Sequence, residues 1–457
     1  MQKLFVVVLV LGLNLAWGTG VKGQATTDTL RLSLDEAIKL GLDGNLTLKN
    51  THIDYLRAQK QVWEVTAVGL PQASVTGSFQ YTPEVAEMPM QYVNTSGLPT
   101  GSSPVVKDHV INMNSPLGSK TSSTLDAQVT QLIFSGEWIV GLMAANTYEN
   151  LQGQMVEKST FQTKENIISA YNSVLVIEEA YNNLNESLLA IEKLYLDMQA
   201  MNKEGLTEDT DVDQLKITYN NLQTSVVNLR NQVQTTYMLL KIQLGLELNT
   251  PVKLTNSLDQ LVLLAPEAAL ISEAFDVTGS VDYQLALSQE KISKLQVSRE
   301  YSKFLPTLAG YYAYHDILSG GGSFDFQSQH TAGLKLSIPI LTGGARLATL
   351  SQAKLNYKKA QNSSKLAEQG LITEFTAVRN SYLSNYNNYI NIKETMELSE
   401  RVYKKNTIKY REGMLSSIDL TNSQNQYLNA QKNYFEAQLS LLNAKANLDR
   451  ILTKSTL

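Results

Sequence analysis

The chain matches itself at an offset of 208 residues, and this duplication constrains its fold more than any other feature. Glu204-Gly205 followed by Asp211-Val212 recurs as Glu412-Gly413 followed by Asp419-Leu420. Tyr195 recurs as Tyr403, and Asn172-Ser173 as Asn380-Ser381. Beyond each glycine, seam residues step by four and three: Leu215, Tyr219, Leu222, Val226, Leu229, Val233, Thr236 and Leu240. Their counterparts are Ser423, Tyr427, Ala430, Tyr434, Ala437, Leu441, Ala444 and Leu448. A 3.5-residue period held this long specifies a coiled-coil seam. Before each glycine, from about Trp138 to Lys203 and from about Arg346 to Arg411, proline is absent. A helix of about 65 residues, rising 1.5 Å per residue, is a rod of roughly 100 Å. Gly205 and Gly413 are expected to cap these rods in the left-handed conformation and turn them back as the seam helices.

The first residues read as a signal peptide over 1–23: Lys3, then the apolar run Leu4 to Leu13, then the small-residue site at Val21-Lys22-Gly23. No cysteine is present, which excludes disulfides and a lipid-modified N-terminal cysteine. No segment approaches the ~20 apolar residues of a membrane-spanning helix. A chain of this kind crosses a bilayer only with strands.

Four segments alternate as strands do. Pro71 opens Gln72 to Tyr81, and Pro306 opens Thr307 to His315. Their return partners alternate at Leu125, Ala127 and Val129 before Phe134-Ser135-Gly136, and at Ala332, Leu334, Leu336 and Ile338 before Leu341-Thr342-Gly343. Pro71, Pro306, Gly136 and Gly343 thus mark where strands begin and end. Phe79, Tyr81, Tyr311, Tyr312 and Tyr314 are candidates for an interfacial aromatic girdle. Residues 82–122, rich in Pro, Ser, Thr and Asn, read as a polar loop, and Gly320-Gly321-Gly322 as a flexible one. Four strands do not close a barrel, and an open edge in lipid is forbidden. The strands must therefore be pooled between copies, of which three supply twelve.

These marks together resemble the TolC family of bacterial outer-membrane efflux proteins. The resemblance covers the mature chain and rests on Leu32-Ser33-Leu34-Asp35-Glu36-Ala37, the two prolines before strands and the Ser/Thr-Gly signals after them. It also rests on Tyr410-Arg411-Glu412-Gly413, Ile418-Asp419-Leu420 and Asn429-Ala430-Gln431. It implies a mixed α/β membrane protein, a homotrimer whose twelve-stranded outer-membrane barrel continues as an α-helical coiled-coil barrel through the periplasm. Residues 24–245 and 282–457 are the two repeats, and 246–281 the equatorial linker. The implied partners are a periplasmic adaptor protein, an inner-membrane transporter and outer-membrane lipid, with no cofactor. By the same resemblance Asp211, Asp419 and Tyr410 lie at the periplasmic gate, although Leu415 and Asn422 stand where the best-known gate has an arginine and a second carboxylate. The other role open to both aspartates is to favour the positive ends of their helices.

The four histidines, His52, His109, His315 and His330, show no metal-ligand or nucleophile spacing, so nothing points to an enzyme. A net charge of −5 supplies no basic patch for nucleic acid. A protein-secretion duct on the same fold stays open. So does a secreted coiled-coil structural or adhesion protein, which explains the heptads but not the paired strands.

Overall fold

The computed structural model describes residues 29–93, 110–116, 119–263, 275–319 and 328–455; the expected signal peptide and the run Gly320 to Gly322 lie outside them. In chain order the elements are β1 (Leu30–Leu32), α1 (Leu34–Gly44), α2 (Leu46–Ala67), β2 (Gln72–Tyr81), β3 (Glu87–Val93), β4 (Val110–Pro116) and β5 (Thr121–Phe134). The first hairpin follows as α3 (Gly136–Lys203) and α4 (Asp209–Leu244), then β6 (Val252–Leu254) and α5 (Leu258–Leu263). The second repeat holds α6 (Val281–Ser302), β7 (Thr307–Ser319), β8 (Gln329–Ser337), α7 (Ala345–Arg411) and α8 (Ser417–Leu452).

The duplication governs the helices closely. α4 and α8 are each 36 residues long and start 208 residues apart. α3 and α7, at 68 and 67 residues, end at the same offset. Gly205 and Gly413 have φ of +72° and +71°. Each closes a Schellman cap: Gly205 and Leu206 donate N–H to the carbonyls of Asn202 and Met201, and Gly413 and Met414 to those of Tyr410 and Lys409. Within the seams, Tyr195 stacks on Tyr219 at 6.1 Å, and Tyr403 on Tyr427 at 5.6 Å.

The shorter helices continue the seam helices. The start of α2 meets the end of α4 at Asn45, whose Oδ1 accepts the N–H groups of Thr47 and Leu48 while Nδ2 donates to the Gln243 carbonyl. One buried side chain thus satisfies orphan groups on two helix ends. Gly44 and Gly245 touch backbone to backbone there: a Cβ on Gly245 would lie 2.1 Å from the Gly44 carbonyl oxygen. In the second repeat the chain after α8 runs beside the start of α6, where Ser455 donates N–H to the Gly279 carbonyl. Arg450 of α8 pairs with Glu165 of α3 and Glu374 of α7. The motif Leu32 to Ala37 is explained by a capping box, Ser33 with Glu36, that starts α1.

The helices lie side by side in the order α2/α4, α3, α6/α8, α7. The four principal strands follow the same order, β2-β5-β7-β8, all antiparallel. Each strand therefore extends its own helix, and the protomer is a single stave. The register gives this sheet one apolar face, with Val75, Phe79, Tyr81, Val129, Tyr312, Tyr314, Leu334 and Leu336. The other face is polar, with Ser74, Thr76, Ser78, Thr124, Asp126, Gln128 and Thr331.

Three details depart from the sequence expectations. Tyr311 lies on the polar face, its ring over Gly333, so it is no member of a girdle with Tyr312 and Tyr314. The span 82–122 is not all loop: β3 and β4 pair as an antiparallel ribbon. β1 and β6 add a short parallel pair beside the apolar core of Leu32, Tyr171, Leu244 and Leu254. Pro71 and Pro306 do precede their strands, where a missing N–H costs no ladder bond. Gly136 begins α3 against Ser302 and Leu305, and Gly343 (φ +58°) turns the chain into α7.

Candidate functional site

The hairpin ends come together at one end of the stave. Ile191, Leu194, Met198, Leu215, Leu222 and Leu420 form an apolar cluster shared by both hairpins, with Tyr403, Tyr410 and Leu415 packed against it. Just beyond it stand the two aspartates.

Asp211 and Asp419 occupy the same position, the third residue of α4 and of α8, yet they are bonded differently. α8 has Ser416 at its N-cap. The Ser416 hydroxyl accepts the Asp419 N–H and donates to Asp419 Oδ2 at 2.6 Å. α4 has Glu208 at the same place, a carboxylate with no hydrogen to give and no side-chain cap bond. The Asp211 carboxylate instead accepts the hydroxyl of Ser417, which lies on the other hairpin. The repeats differ at two positions here, Ser416 against Glu208 and Ser417 against Asp209, and the local bond of one repeat becomes in the other a link between hairpins. Asp419 remains exposed, whereas Asp211 and Ser417 are half-buried.

Tyr410 lies beside this link. Its hydroxyl is buried, and among the described residues it has no hydrogen-bond partner. Burial first, and the nearby Asp211 charge second, push its pKa up to about 12, so the ring stays a neutral donor. Tyr410 and Asp211 are thus adjacent, but the hydroxyl bonded to Asp211 belongs to Ser417. The sequence signal for Ser417 was faint: a serine at the first position of α8 opposite an acid that Glu208 leaves unsatisfied. Leu415, where an arginine would bring a charge, packs with the apolar cluster.

Above the tip an open groove of about 750 Å³ runs between α3/α4 and α8. Ile217, Asn221 and Leu229 form one wall, Asn425, Leu428 and Lys432 the other. Among the described residues no group of three or more His, Asp or Glu is arranged to hold a metal ion, and no helix is long and apolar enough to cross a membrane.

Residues 289–454 match the family described as outer membrane efflux protein. No curated protein sequence is significantly similar to the chain. Solved structures share the fold along nearly all of it. The Campylobacter jejuni CmeC outer membrane channel aligns over 92% of this chain and 85% of its own, with TM-score 0.69 and 15% identity. The Vibrio cholerae outer membrane protein VceC aligns over 92% and 96%, with TM-score 0.67 and 16% identity. The open state of the Neisseria gonorrhoeae MtrE outer membrane channel aligns over 92% and 88%, with TM-score 0.66 and 15% identity. The resemblance to TolC-family efflux proteins therefore holds twice: as sequence over most of the second repeat, and as fold over the whole stave.

Proposed function

We propose that the chain is one protomer of a homotrimeric outer-membrane channel, through which substrates delivered by an inner-membrane transporter and a periplasmic adaptor pass passively to the exterior. The observation that carries this reading is the four-stranded sheet: β2 and β8 are open edges, and one face is mostly apolar, with Asp316 and His330 toward one end of it. An edge of that kind is stable in lipid only when a second copy closes it, so β2 of one protomer pairs with β8 of the next. The helices agree. The outermost ones, α2 and α7, leave Trp63, Leu355 and Leu366 63%, 66% and 67% exposed in the single chain. In the closed ring these side chains pack against the next protomer. The helices then form a tunnel with the hairpin tips at its inner entrance, and the groove beside α8 takes a helical hairpin of the adaptor. Full-length trimer in planar bilayers is expected to conduct; an inserted trimer that never conducts would sink the reading.

At the entrance, Asp211 and Ser417 hold the two hairpins of each protomer together, and Asp419 presents a carboxylate to the pore. A hydrogen bond to a charged group contributes about 1.5–3 kcal/mol when shielded and less at a half-exposed site. Ser417→Ala is therefore expected to raise the time-averaged conductance without changing selectivity, and Asp419→Ala to lower cation selectivity. If Ser417→Ala records match the wild type, the link does not restrain the entrance.

A further inference from the structure

The polar face of the sheet carries few charges. Among the described strand residues on that face they are Asp126 on β5, His315 on β7 and Lys335 on β8. Asp126 and His315 stand directly opposite one another, with His315 Nδ1 2.6 Å from Asp126 Oδ1. The pair is built into a chain of hydrogen bonds crossing three strands. Ser78 of β2 meets Thr124 of β5 at 2.7 Å, and the Thr124 hydroxyl donates to Asp126 Oδ2 at 3.4 Å. With Asp126 and His315 about half exposed, such a cross-strand pair contributes little to stability. Stability alone does not account for a carboxylate steadied from both sides and turned to the polar face.

We propose that Asp126 and His315, repeated around the closed barrel, set its selectivity for small cations, with the proton on His315 as the switch. The inference rests on the channel reading, in which the polar face lines the lumen. Nδ1, so close to a carboxylate, carries a hydrogen, so a second proton enters at Nε2. With His315 neutral the pair has one net negative charge per protomer; with His315 protonated it has none. The groups facing the imidazole are Asp126 and Thr124 from β5, Gln329 from β8, and Ala313 and Ile317 on its own strand. Asp316 points to the opposite face with Tyr314, and Lys335 faces Ala309, six residues down β7. At about 3.3 Å per residue Lys335 is some 20 Å away, about two screening lengths in 0.1 M salt. Among the described residues Asp126 is thus the carboxylate that an ion meets at this level of the barrel.

The test is the reversal potential of full-length channels in planar bilayers across a potassium chloride gradient near 0.1 M, at pH 5 and pH 8. Wild type is expected to gain roughly twofold or more in potassium-over-chloride permeability at pH 8, since an unpaired charge acts over the screening length. Asp126→Asn abolishes the step at the low value, and His315→Gln abolishes it at the high value. His330→Gln, on the apolar face, leaves the step intact. His315→Asn gives the same reading should the Gln variant insert poorly. A wild-type channel that conducts with equal selectivity at both pH values, or a step that survives both His315 variants, overturns the proposal and leaves the channel standing. A trimer that never conducts overturns both.

Discussion

Gly245→Val is expected to abolish stable folding, while Gly205→Ala costs only about 1–2 kcal/mol, although the two glycines have nearly the same φ of +69° and +72°. The difference is space. Around Gly205 an added Cβ meets nothing within 4 Å, so the variant bears only left-handed strain. At Gly245 the Cβ would lie 2.1 Å from the Gly44 oxygen and 2.4 Å from its carbonyl carbon. That backbone does not yield cheaply, because Asn45 beside it caps α2 and holds the Gln243 carbonyl at 2.9 Å. A β-branched residue adds a further penalty at positive φ. The strain and the clash together exceed roughly 4 kcal/mol, a large share of ordinary domain stability. The readout is the thermal midpoint of helix loss for the purified protein. A midpoint for Gly245→Val within a degree or two of Gly205→Ala would show that the α2/α4 junction is not the rigid point described.

That junction also shows what sequence reasoning reaches and what it misses. Periodicity is local, so α3 and α7 could be drawn from proline-free runs to within two residues, and α4 and α8 placed by their heptads, with the Schellman glycines between them. Strands β2, β5, β7 and β8 were legible because proline and Ser/Thr-Gly pairs bound each alternating run. Nothing local marks β1 and β6, three residues each and paired across more than two hundred positions. The β3–β4 ribbon was hidden by the proline and polar residues that made its span look like loop. Asn45 caps α2 locally, but its second bond goes to a helix end 198 residues away, which no local pattern marks. At the hairpin tips both aspartates were placed, yet the partner of Asp211 was not. Ser417 becomes its partner only when two hairpins meet, and it was the acidic cap at Glu208 that left a bond to be made.

Gln424→Met is expected to raise the stability of the protein by about 1–3 kcal/mol, an unusual sign for a buried substitution. Gln424 is 1% exposed, and among the described residues neither its Nε2 nor its Oε1 has a hydrogen-bond partner. Gln438, also 1% exposed, has an unpartnered Oε1, and Thr421 an unpartnered hydroxyl. Gln424, Gln431 and Gln438 are spaced by seven, so they form one stripe along α8, all of it buried. The duplicate positions on α4 hold Lys216, half-buried with its ammonium 4.9 Å from the rings of both Tyr195 and Tyr219, and Gln223 and Arg230, both exposed. α4 is at the edge of the stave and α8 lies between α3 and α7, so the stripe that is solvated in one repeat is enclosed in the other. Methionine preserves the shape of glutamine and removes the unpaired amide; Gln424→Ala keeps neither and is expected to destabilise through the cavity it leaves. A Gln424→Met midpoint below the wild type would mean that the amide has a hydrogen-bond partner in solution. The sign also bears on movement of the second hairpin. Separating α8 from its neighbours returns an unpartnered amide to water, a gain, whereas exposing an apolar side chain costs about 25 cal/mol per Å². A glutamine stripe therefore lowers the cost of moving α8, and Gln424→Met should reduce the fraction of time the channel spends in its most open state. More stable and less open is the pair of results expected of a seam built to part.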